Sequence, residues 1–268
     1  MESVKRSFSN TTTPPGEAGM RGYDAQTGLD RREFLGSFLG ALFFWRRRAT
    51  RKLAGIEFRR LRHDDANRRY LLIHGNEQTA RAVLTAHMRT AKGTAWLVEN
   101  ATRNVSFRGG ELDPNRMFSR EGAERNLRKL DPDWSEAQIL NGLTVLDRSR
   151  HQILDAVLPK RGDVLIAVHN NSEYSVNDEL ANSNRVALND RENPHEFCLA
   201  TDAGDFDLLS RGTYNVVLQN RPTGPEDGSL SRYAARNGFR YVNIECAMGN
   251  AAKQRAILEW VDGTLPRT

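Results

Sequence analysis

Cysteine is scarce in this chain. Only Cys198 and Cys246 occur among its 268 residues, so neither a framework of several disulfides nor a zinc site of four cysteines can form. At most one bridge is available, and we expect two buried free thiols instead. With 38% apolar residues, the chain can still build a hydrophobic core, and its length suits one large α/β domain with a short extra segment.

The N-terminal part lacks an apolar run of the roughly 20 residues that cross a membrane. Residues 34–45 are apolar but shorter than that, and they follow Arg31-Arg32. An arginine pair before a short apolar stretch resembles a twin-arginine export signal. However, the basic residues 46–48 come next and oppose translocation, and no A-x-A cleavage site is present. The segment is compatible with an export signal, an interfacial anchor or a helix packed on the domain, so we expect a periplasmic or membrane-associated protein, with a cytoplasmic one as the alternative.

Positive charge is unevenly distributed. The net charge is +5, and a dense basic run between residues 46 and 69 attracts anionic lipid or nucleic acid in principle. No aromatic interleaving and no nucleic-acid-binding signature accompanies the run, so we expect no nucleic-acid partner. It predicts a solvated linker near a membrane surface. The run comprises Arg46, Arg47, Arg48, Arg51, Lys52, Arg59, Arg60, Arg62, Arg68 and Arg69.

Two regions follow from the pattern of residues. Residues 1–54 form a disordered N-terminal region that carries the twin-arginine-like segment and the basic linker, and residues 55–268 form the folded domain. In the folded domain, predicted strands alternate with predicted helices, which indicates an α/β sheet with helices on both faces. The predicted strands are 56–61, 69–73, 94–98, 163–168, 215–218 and 239–244, and the predicted helices are 78–90, 135–158, 229–236 and 251–261.

Polar residues follow three of these strands at their carboxyl ends, where ligands bind in open α/β sheets. His74-Gly75-Asn76-Glu77 follows the second strand, His169 follows the fourth and Glu245 follows the last. Two histidines and one carboxylate are preferred zinc ligands that leave a fourth position for water. Each residue taken singly is more often structural, but their joint placement predicts a Zn²⁺ site on His74, Glu77 and His169. A hydrolytic zinc site also needs a carboxylate that takes the proton of water and passes it to the leaving nitrogen, and Glu245 is the candidate.

Residues 107–118 form a polar loop with two arginines and an asparagine. Arginine binds carboxylates through a bidentate fork, so Asn115 and Arg116 are candidates for holding an acidic end of a substrate. Arg108 is a candidate for stabilising the oxyanion of a tetrahedral intermediate, and Asp113 for orienting the loop. The alternative is a basic surface turn without a role in chemistry.

These motifs resemble the zinc carboxypeptidase superfamily, and in particular its aspartoacylase and succinylglutamate desuccinylase branch. The likeness spans roughly residues 69–262 and rests on the order of five features. These are the H-G-N-E turn at 74–77, the arrangement of Arg108 with Asn115 and Arg116, the D-x-N-R-x-F string at 113–118, His169-Asn170, and Ile244-Glu245. Ser119 departs from the pattern, since the family usually has proline there.

The resemblance implies a mixed, mostly parallel eight-stranded sheet flanked by helices. It also implies zinc on His74, Glu77 and His169, a base at Glu245, carboxylate contacts at Asn115 and Arg116, and carbonyl polarisation by Arg108. A tyrosine that covers the substrate is expected, and Tyr174 and Tyr241 are the candidates.

Three functions are compatible with these residues. The first is a carboxypeptidase-like cleavage of an amide bond near a free carboxylate, with peptidoglycan stem peptides as substrates if the export signal is real. The second is deacylation of an N-acyl amino acid. The third is a non-catalytic binding module on the same fold, which the presence of ligands, base and arginines together disfavours.

Overall fold

A computed structural model describes residues 49–160 and 162–268. The predicted twin-arginine segment and the polar region before it lie outside the described residues. The strands are β1 (Ala49–Leu53), β2 (Ile56–His63), β3 (Arg69–Leu72), β4 (Gly93–Val98), β5 (Val105–Phe107), β6 (Gly110–Leu112), β7 (Val164–Asn171), β8 (Arg185–Ala187), β9 (Phe197–Ala200), β10 (Asn215–Leu218) and β11 (Arg240–Ala247). The helices are α1 (Gln78–His87), α2 (Arg120–Leu130), α3 (Glu136–Val157), α4 (Val176–Glu179), α5 (Ala203–Leu209), α6 (Leu230–Asn237) and α7 (Ala251–Thr264), with 3₁₀ turns at Pro114–Arg116 and Leu180–Asn182.

Within the described ranges, nine strands form one sheet in the order β1-β2-β4-β3-β7-β11-β9-β10-β8, and β5 and β6 form a separate hairpin. The centre, β4-β3-β7-β11, is parallel. Towards both edges the pairs are antiparallel at β1-β2, β2-β4, β11-β9 and β10-β8, while β9-β10 is parallel. The prediction of a mostly parallel, eight-stranded sheet was therefore wrong in both respects. Of the four antiparallel pairs among the described residues, only β1-β2 is a hairpin; the other three join strands that are not consecutive in the chain.

The edge strand β1 exists because of a two-residue turn. Ala54 and Gly55 both have positive φ, 52° and 84°, as a type I′ hairpin turn requires. This turn pairs residues 49–53 with β2. The sheet therefore begins before residue 55, where we had placed the boundary of the folded domain.

Helices cover both faces of the sheet, as predicted. One apolar layer joins the sheet to α2, α3 and α6 through residues such as Leu127, Leu146 and Ala234. The other joins it to α1, α5 and α7 and includes both cysteines' side chains among its buried residues. Cys198 and Cys246 are buried and free, which confirms the expected pair of buried thiols. Among the described residues, no helix combines the length and apolar character needed to cross a membrane.

Helix α2 was not predicted. Its sequence REGAERNLRKL has few apolar residues, although Ala123, Leu127 and Leu130 recur with helical spacing. Local interactions define its start. Ser119 caps it by accepting a hydrogen bond from the Gly122 amide at 3.1 Å, which is a preferred role of serine at a helix start. Ser119, where the family usually has proline, is thus the N-cap of α2. Gly122 packs against Gly228 so closely that a Cβ there would lie 2.2 Å from the Gly228 Cα.

A buried ion cluster links the sheet to the C-terminal residues. It lies at the amino end of β3, whereas the predicted metal ligand His74 follows the carboxyl end of that strand. The guanidinium of Arg68, which is fully buried, donates to Asp163 at 2.7 Å and to Asp262 at 2.9 Å. It also donates to the carbonyls of Leu265 and Pro266 at 3.0 and 2.8 Å. One side chain therefore holds the start of β7 and the end of α7 together.

We expect Arg68→Met to lower the free energy of unfolding by about 3–5 kcal/mol, because it leaves a buried carboxylate without its partner. Denaturant unfolding followed by circular dichroism measures this. Arg128→Met is the control, since Arg128 pairs with Glu124 and Glu136 at the surface. Equal midpoints for the two variants would contradict a structural role for the Arg68 cluster.

Candidate metal centre and active site

The turn that carries His74 and Glu77 depends on Gly75. A Cβ at this position would lie 2.1 Å from Oδ1 and 2.4 Å from the backbone oxygen of Asn100, so only glycine fits against that loop. The Gly75 amide also donates to the Thr102 carbonyl at 3.0 Å. Glu77 then precedes α1 as its N-cap without capping it through the side chain. Its carboxylate is therefore available to the site.

Neighbouring strands place His169 and Glu245 side by side. β7 continues through Asn171, so His169 lies within this strand rather than just after it as we predicted. In the parallel pair β7-β11, Glu245 is opposite His169, and their side chains emerge on the same face. The next residue of β7, Asn170, points to the opposite face of the sheet. There it donates to Gln254 at 2.8 Å and accepts from the Ala80 amide at 2.8 Å.

The structure brings the three predicted metal ligands together. Candidate ligand atoms of His74, Glu77 and His169 all lie within 4.8 Å of one another. Glu77 Oε1 is 2.9 Å from His74 Nδ1 and 3.2 Å from His169 Nδ1, and all three residues are buried. Glu77 Oε2 is buried and has no hydrogen-bond partner among the described residues. Because a buried carboxylate oxygen rarely stays unpaired, this orphaned atom and the donor set fit a divalent metal ion such as zinc.

A second carboxylate, that of Asp113, contacts the other ring nitrogen of His74. Asp113 Oδ1 is 3.0 Å from His74 Nε2 and also accepts from the Asn115 amide at 2.8 Å. A carboxylate on the far nitrogen of a metal-binding histidine fixes its tautomer and ring orientation. Asp113 therefore contacts His74 directly, a more specific role than the orientation of its loop that we predicted from the sequence.

Charges within the site reinforce one another. Burial works to raise the pKa of the Glu77 carboxyl, but the charges and hydrogen bonds of His169 and His74 outweigh it and lower the pKa to about 2. For His169, burial works to lower the pKa, yet the Glu77 carboxylate and, less strongly, Glu245 raise it overall. Glu77 is thus an anion at any pH near neutrality, as a metal ligand must be.

Glu245 lies in a different environment from Glu77. It is 6% exposed and accepts hydrogen bonds from Asn243 at 3.0 Å and Asn171 at 3.2 Å. Burial raises the pKa of its carboxyl, and the nearby Glu77 raises it further, although His169 and the two amides offset part of this. Two carboxylates whose pKa values are pushed apart are typical of a site with one fixed anion and one proton acceptor.

The predicted arginines have different locations. Asn115 and Arg116 line a cavity of about 490 Å³ that also contains His74, Glu77, His169 and Glu245. Arg108 does not line this cavity. It lies in the turn of the β5-β6 hairpin with a φ of 55°, and its guanidinium donates to Asn141 at 3.2 Å. The structure therefore does not bring Arg108 to the position that oxyanion stabilisation needs.

Arg103 lines the cavity instead. Its guanidinium is 3.1 Å from Asp113 Oδ2, next to the carboxylate that holds His74. Sequence reasoning missed it, although it lies in the loop after β4, at the same carboxyl edge of the sheet as His74. A position after the carboxyl end of a predicted strand is the sequence feature from which Arg103 could have been predicted.

Another wall of the cavity comes from the segment 174–182. Tyr174 lines the cavity, whereas Tyr241 is 2% exposed within the core. The Tyr174 hydroxyl donates to Glu179, which also accepts from Gln219. Of the two tyrosine candidates, only Tyr174 is placed to contact a substrate.

Comparisons with known proteins give likenesses of fold at low sequence identity. No protein-family profile matches the sequence, and no curated protein sequence matches it. Among solved structures, the ectoine utilization protein EutE of Ruegeria pomeroyi is 15% identical with a TM-score of 0.42, and the match covers 79% of this chain and 62% of that one. A succinylglutamate desuccinylase from Silicibacter is 14% identical with a TM-score of 0.43, over 77% of this chain and 59% of that one. A protein assigned as a metallopeptidase from Shewanella denitrificans is 13% identical with a TM-score of 0.42, over 87% and 88%.

The chain spans only 59–62% of the length of the EutE and succinylglutamate desuccinylase structures that it matches. Similarities this distant do not establish an activity, so the activity is inferred from the site itself.

Proposed function

We propose that this chain is a zinc-dependent hydrolase that cleaves an amide bond near a free carboxylate. The observation that carries the proposal is the buried group of His74, Glu77 and His169, which shares one cavity with a buried carboxylate and with arginine side chains. A purely structural cluster would not need an open cavity of about 490 Å³ beside it.

His74, Glu77 and His169 would hold the metal, and Asp113 would hold His74 in place. When bound, zinc supplies a Lewis acid that lowers the pKa of water from 15.7 to about 7 and polarises a carbonyl. Glu245, one strand away from His169, would accept the proton of the attacking water at its carboxylate and pass it to the leaving nitrogen. Asn171 and Asn243 hold that carboxylate in place through their hydrogen bonds.

The substrate's carboxylate would bind at the opposite wall. Asn115 Oδ1 accepts from the Leu230 amide at 3.1 Å, which fixes its side chain. Arg116 is one-third exposed and its guanidinium is 3.6 Å from Asp227, so it is oriented but available to an incoming anion. Arginine pairs with a carboxylate through two parallel hydrogen bonds.

We expect Arg116→Ala to raise KM for a substrate with a free carboxylate by about tenfold or more, while an amidated substrate changes little. A lost charge-assisted hydrogen bond is worth about 1.5–3 kcal/mol. Steady-state kinetics on the matched pair of substrates measures this. Arg108→Ala is the matched control, because Arg108 lies in the hairpin turn outside the cavity. If Arg108→Ala lowered kcat and Arg116→Ala had no effect on KM, the placement of the arginines would be wrong.

The pH dependence of kcat/KM tests the role of Glu245. Because its pKa is raised in the folded protein, the carboxyl takes up a proton at a higher pH than an ordinary glutamate does. The base form, and with it the activity, is therefore lost as the pH falls, and this acid limb should be absent from the residual activity of Glu245→Gln. An acid limb that is unchanged in Glu245→Gln would contradict the assignment.

Peptides and N-acyl amino acids both fit this site, since each presents an amide bond near a carboxylate. Of the two we favour the carboxypeptidase-like reaction, with peptidoglycan stem peptides as the proposed substrates. Profiling the zinc-loaded protein on muropeptides and on N-acyl amino acids distinguishes them. Hydrolysis of N-acyl amino acids alone would establish a deacylase instead, and hydrolysis of neither would favour a binding module.

A further inference from the structure

A second cleft lies at the far end of the sheet from the proposed metal site. It has a volume of about 470 Å³ and is bordered by β1, β2, β3, β4 and the end of α3. Arg69, which begins β3, lines it, whereas His74 follows the other end of that strand. The cleft is therefore separate from the cavity that contains Glu245.

The cleft is strongly basic. Its cationic side chains belong mostly to the basic run of the sequence, for which the proposed hydrolase has no use. Two acidic residues, Asp65 and Asp155, also line it, and Asp65 already pairs with one of the arginines. The cationic residues that line the cleft are Arg51, Arg60, Arg62, Arg69 and Lys160.

The strand register brings several of these groups to one face of the sheet. Arg60 is opposite Trp96, and Arg62 is opposite Thr94, which in turn is opposite Arg69. Side chains of residues paired in this way emerge on the same face, about 5 Å apart. The Arg60 guanidinium is also 5.9 Å from the centre of the Trp96 ring.

Two residues that line this cleft each carry a buried hydrogen-bond donor without a partner among the described residues. Trp96 is 4% exposed, and its indole Nε1 has no partner among the described residues, nor has the Nε of Arg60. Buried donors of this kind are rare in folded proteins. Burial and the neighbouring Arg51 and Arg62 also lower the pKa of Arg60, so the cations crowd one another. A bound anion would satisfy the donors and relieve the repulsion.

We propose that this cleft binds a phosphate-bearing ligand. A phosphate offers several strong acceptor oxygens and up to two negative charges. Arginine is the preferred side chain for phosphate because its fork matches the oxyanion geometry. A carboxylate would satisfy fewer of the donors that converge here. The phosphate can belong to a soluble ligand or to an anionic phospholipid headgroup, and both share this chemistry.

The test uses the full chain and two probes. Inorganic phosphate is titrated at constant ionic strength, with binding followed by tryptophan emission and calorimetry. Vesicles of phosphatidylcholine with and without phosphatidic acid are tested by co-sedimentation. The cleft variant is Arg51→Gln with Arg60→Gln, and the charge-matched control is Arg191→Gln with Arg255→Gln, whose residues are exposed and line neither cavity.

We expect saturable binding of phosphate or of phosphatidic acid vesicles that is weakened about tenfold or more in the cleft variant and unchanged in the control. Binding of phosphate but not of vesicles identifies a soluble ligand, and binding of vesicles that the cleft variant weakens identifies a headgroup. Equal weakening in both variants, or no binding of either probe, would overturn the proposal. If the cleft variant does not fold, calorimetry on Trp96→Phe decides, since this variant keeps an aromatic ring at the position and removes the unpaired indole donor. Full affinity in that variant would also overturn the proposal.

Discussion

Glu245→Gln should lower kcat by about 10²–10⁴-fold, the contribution of a positioned general base, while leaving zinc content unchanged. Glutamine is nearly the same size and keeps an oxygen for the hydrogen bonds of Asn171 or Asn243, but it cannot accept the proton of water. Because Glu245 is not among the three converging ligand residues, metal binding should survive. Single-turnover kinetics together with metal analysis measures both quantities.

The matched control for this substitution is Glu173→Gln. Glu173 lines the same cavity, but it is exposed and forms none of the hydrogen bonds that position Glu245. Its variant should keep nearly full activity. If Glu173→Gln were inactive and Glu245→Gln active, the base would have been assigned to the wrong carboxylate.

The second large effect concerns the metal ligands. His169→Ala should reduce zinc affinity by more than the roughly 10–100-fold that loss of an outer hydrogen-bonding partner costs. Activity should fall with zinc occupancy. Asp113→Asn should cause the smaller, outer-partner effect, because it weakens the support of His74 and leaves the three ligand residues in place. Equilibrium dialysis against buffered zinc measures these affinities.

His151→Ala is the control for nonspecific loss of a histidine, since His151 is exposed on α3. Wild type and His151→Ala should bind zinc most tightly, Asp113→Asn less tightly and His169→Ala least tightly. A His169→Ala protein that binds zinc like wild type would remove His169 from the metal site.

Much of the sheet's centre was predictable because its strands are short buried runs separated by helical patterns. The same reasoning placed His74 and Glu77 just after a strand and His169 and Glu245 near the carboxyl ends of theirs, although β7 and β11 each continue two residues past these side chains, further than predicted. The edges were not predictable in this way. β1 depends on positive φ at Ala54, where alanine gives no signal, and the short strand β8 carries little apolar pattern because two of its three residues are exposed.

The candidate site was predictable where function depends on residue type and strand position, but not where it depends on side-chain direction. Arg108 and Arg103 are both arginines in polar loops, and only the turn of the β5-β6 hairpin sends Arg108 away from the cavity. Likewise, Tyr174 and Tyr241 differ in which face of a strand or loop they occupy. A motif gives the spacing of such residues, whereas packing decides which of them contact the cavity.

The most direct test of the central claim is a zinc titration of the chelator-stripped protein, with bound metal and amide hydrolysis measured on the same samples. The site of His74, Glu77 and His169 predicts that one zinc ion binds per chain and that hydrolysis of a carboxylate-bearing substrate returns in proportion to it. Full hydrolysis in the metal-free protein, or no zinc bound at saturating concentration, would contradict a zinc-dependent hydrolase.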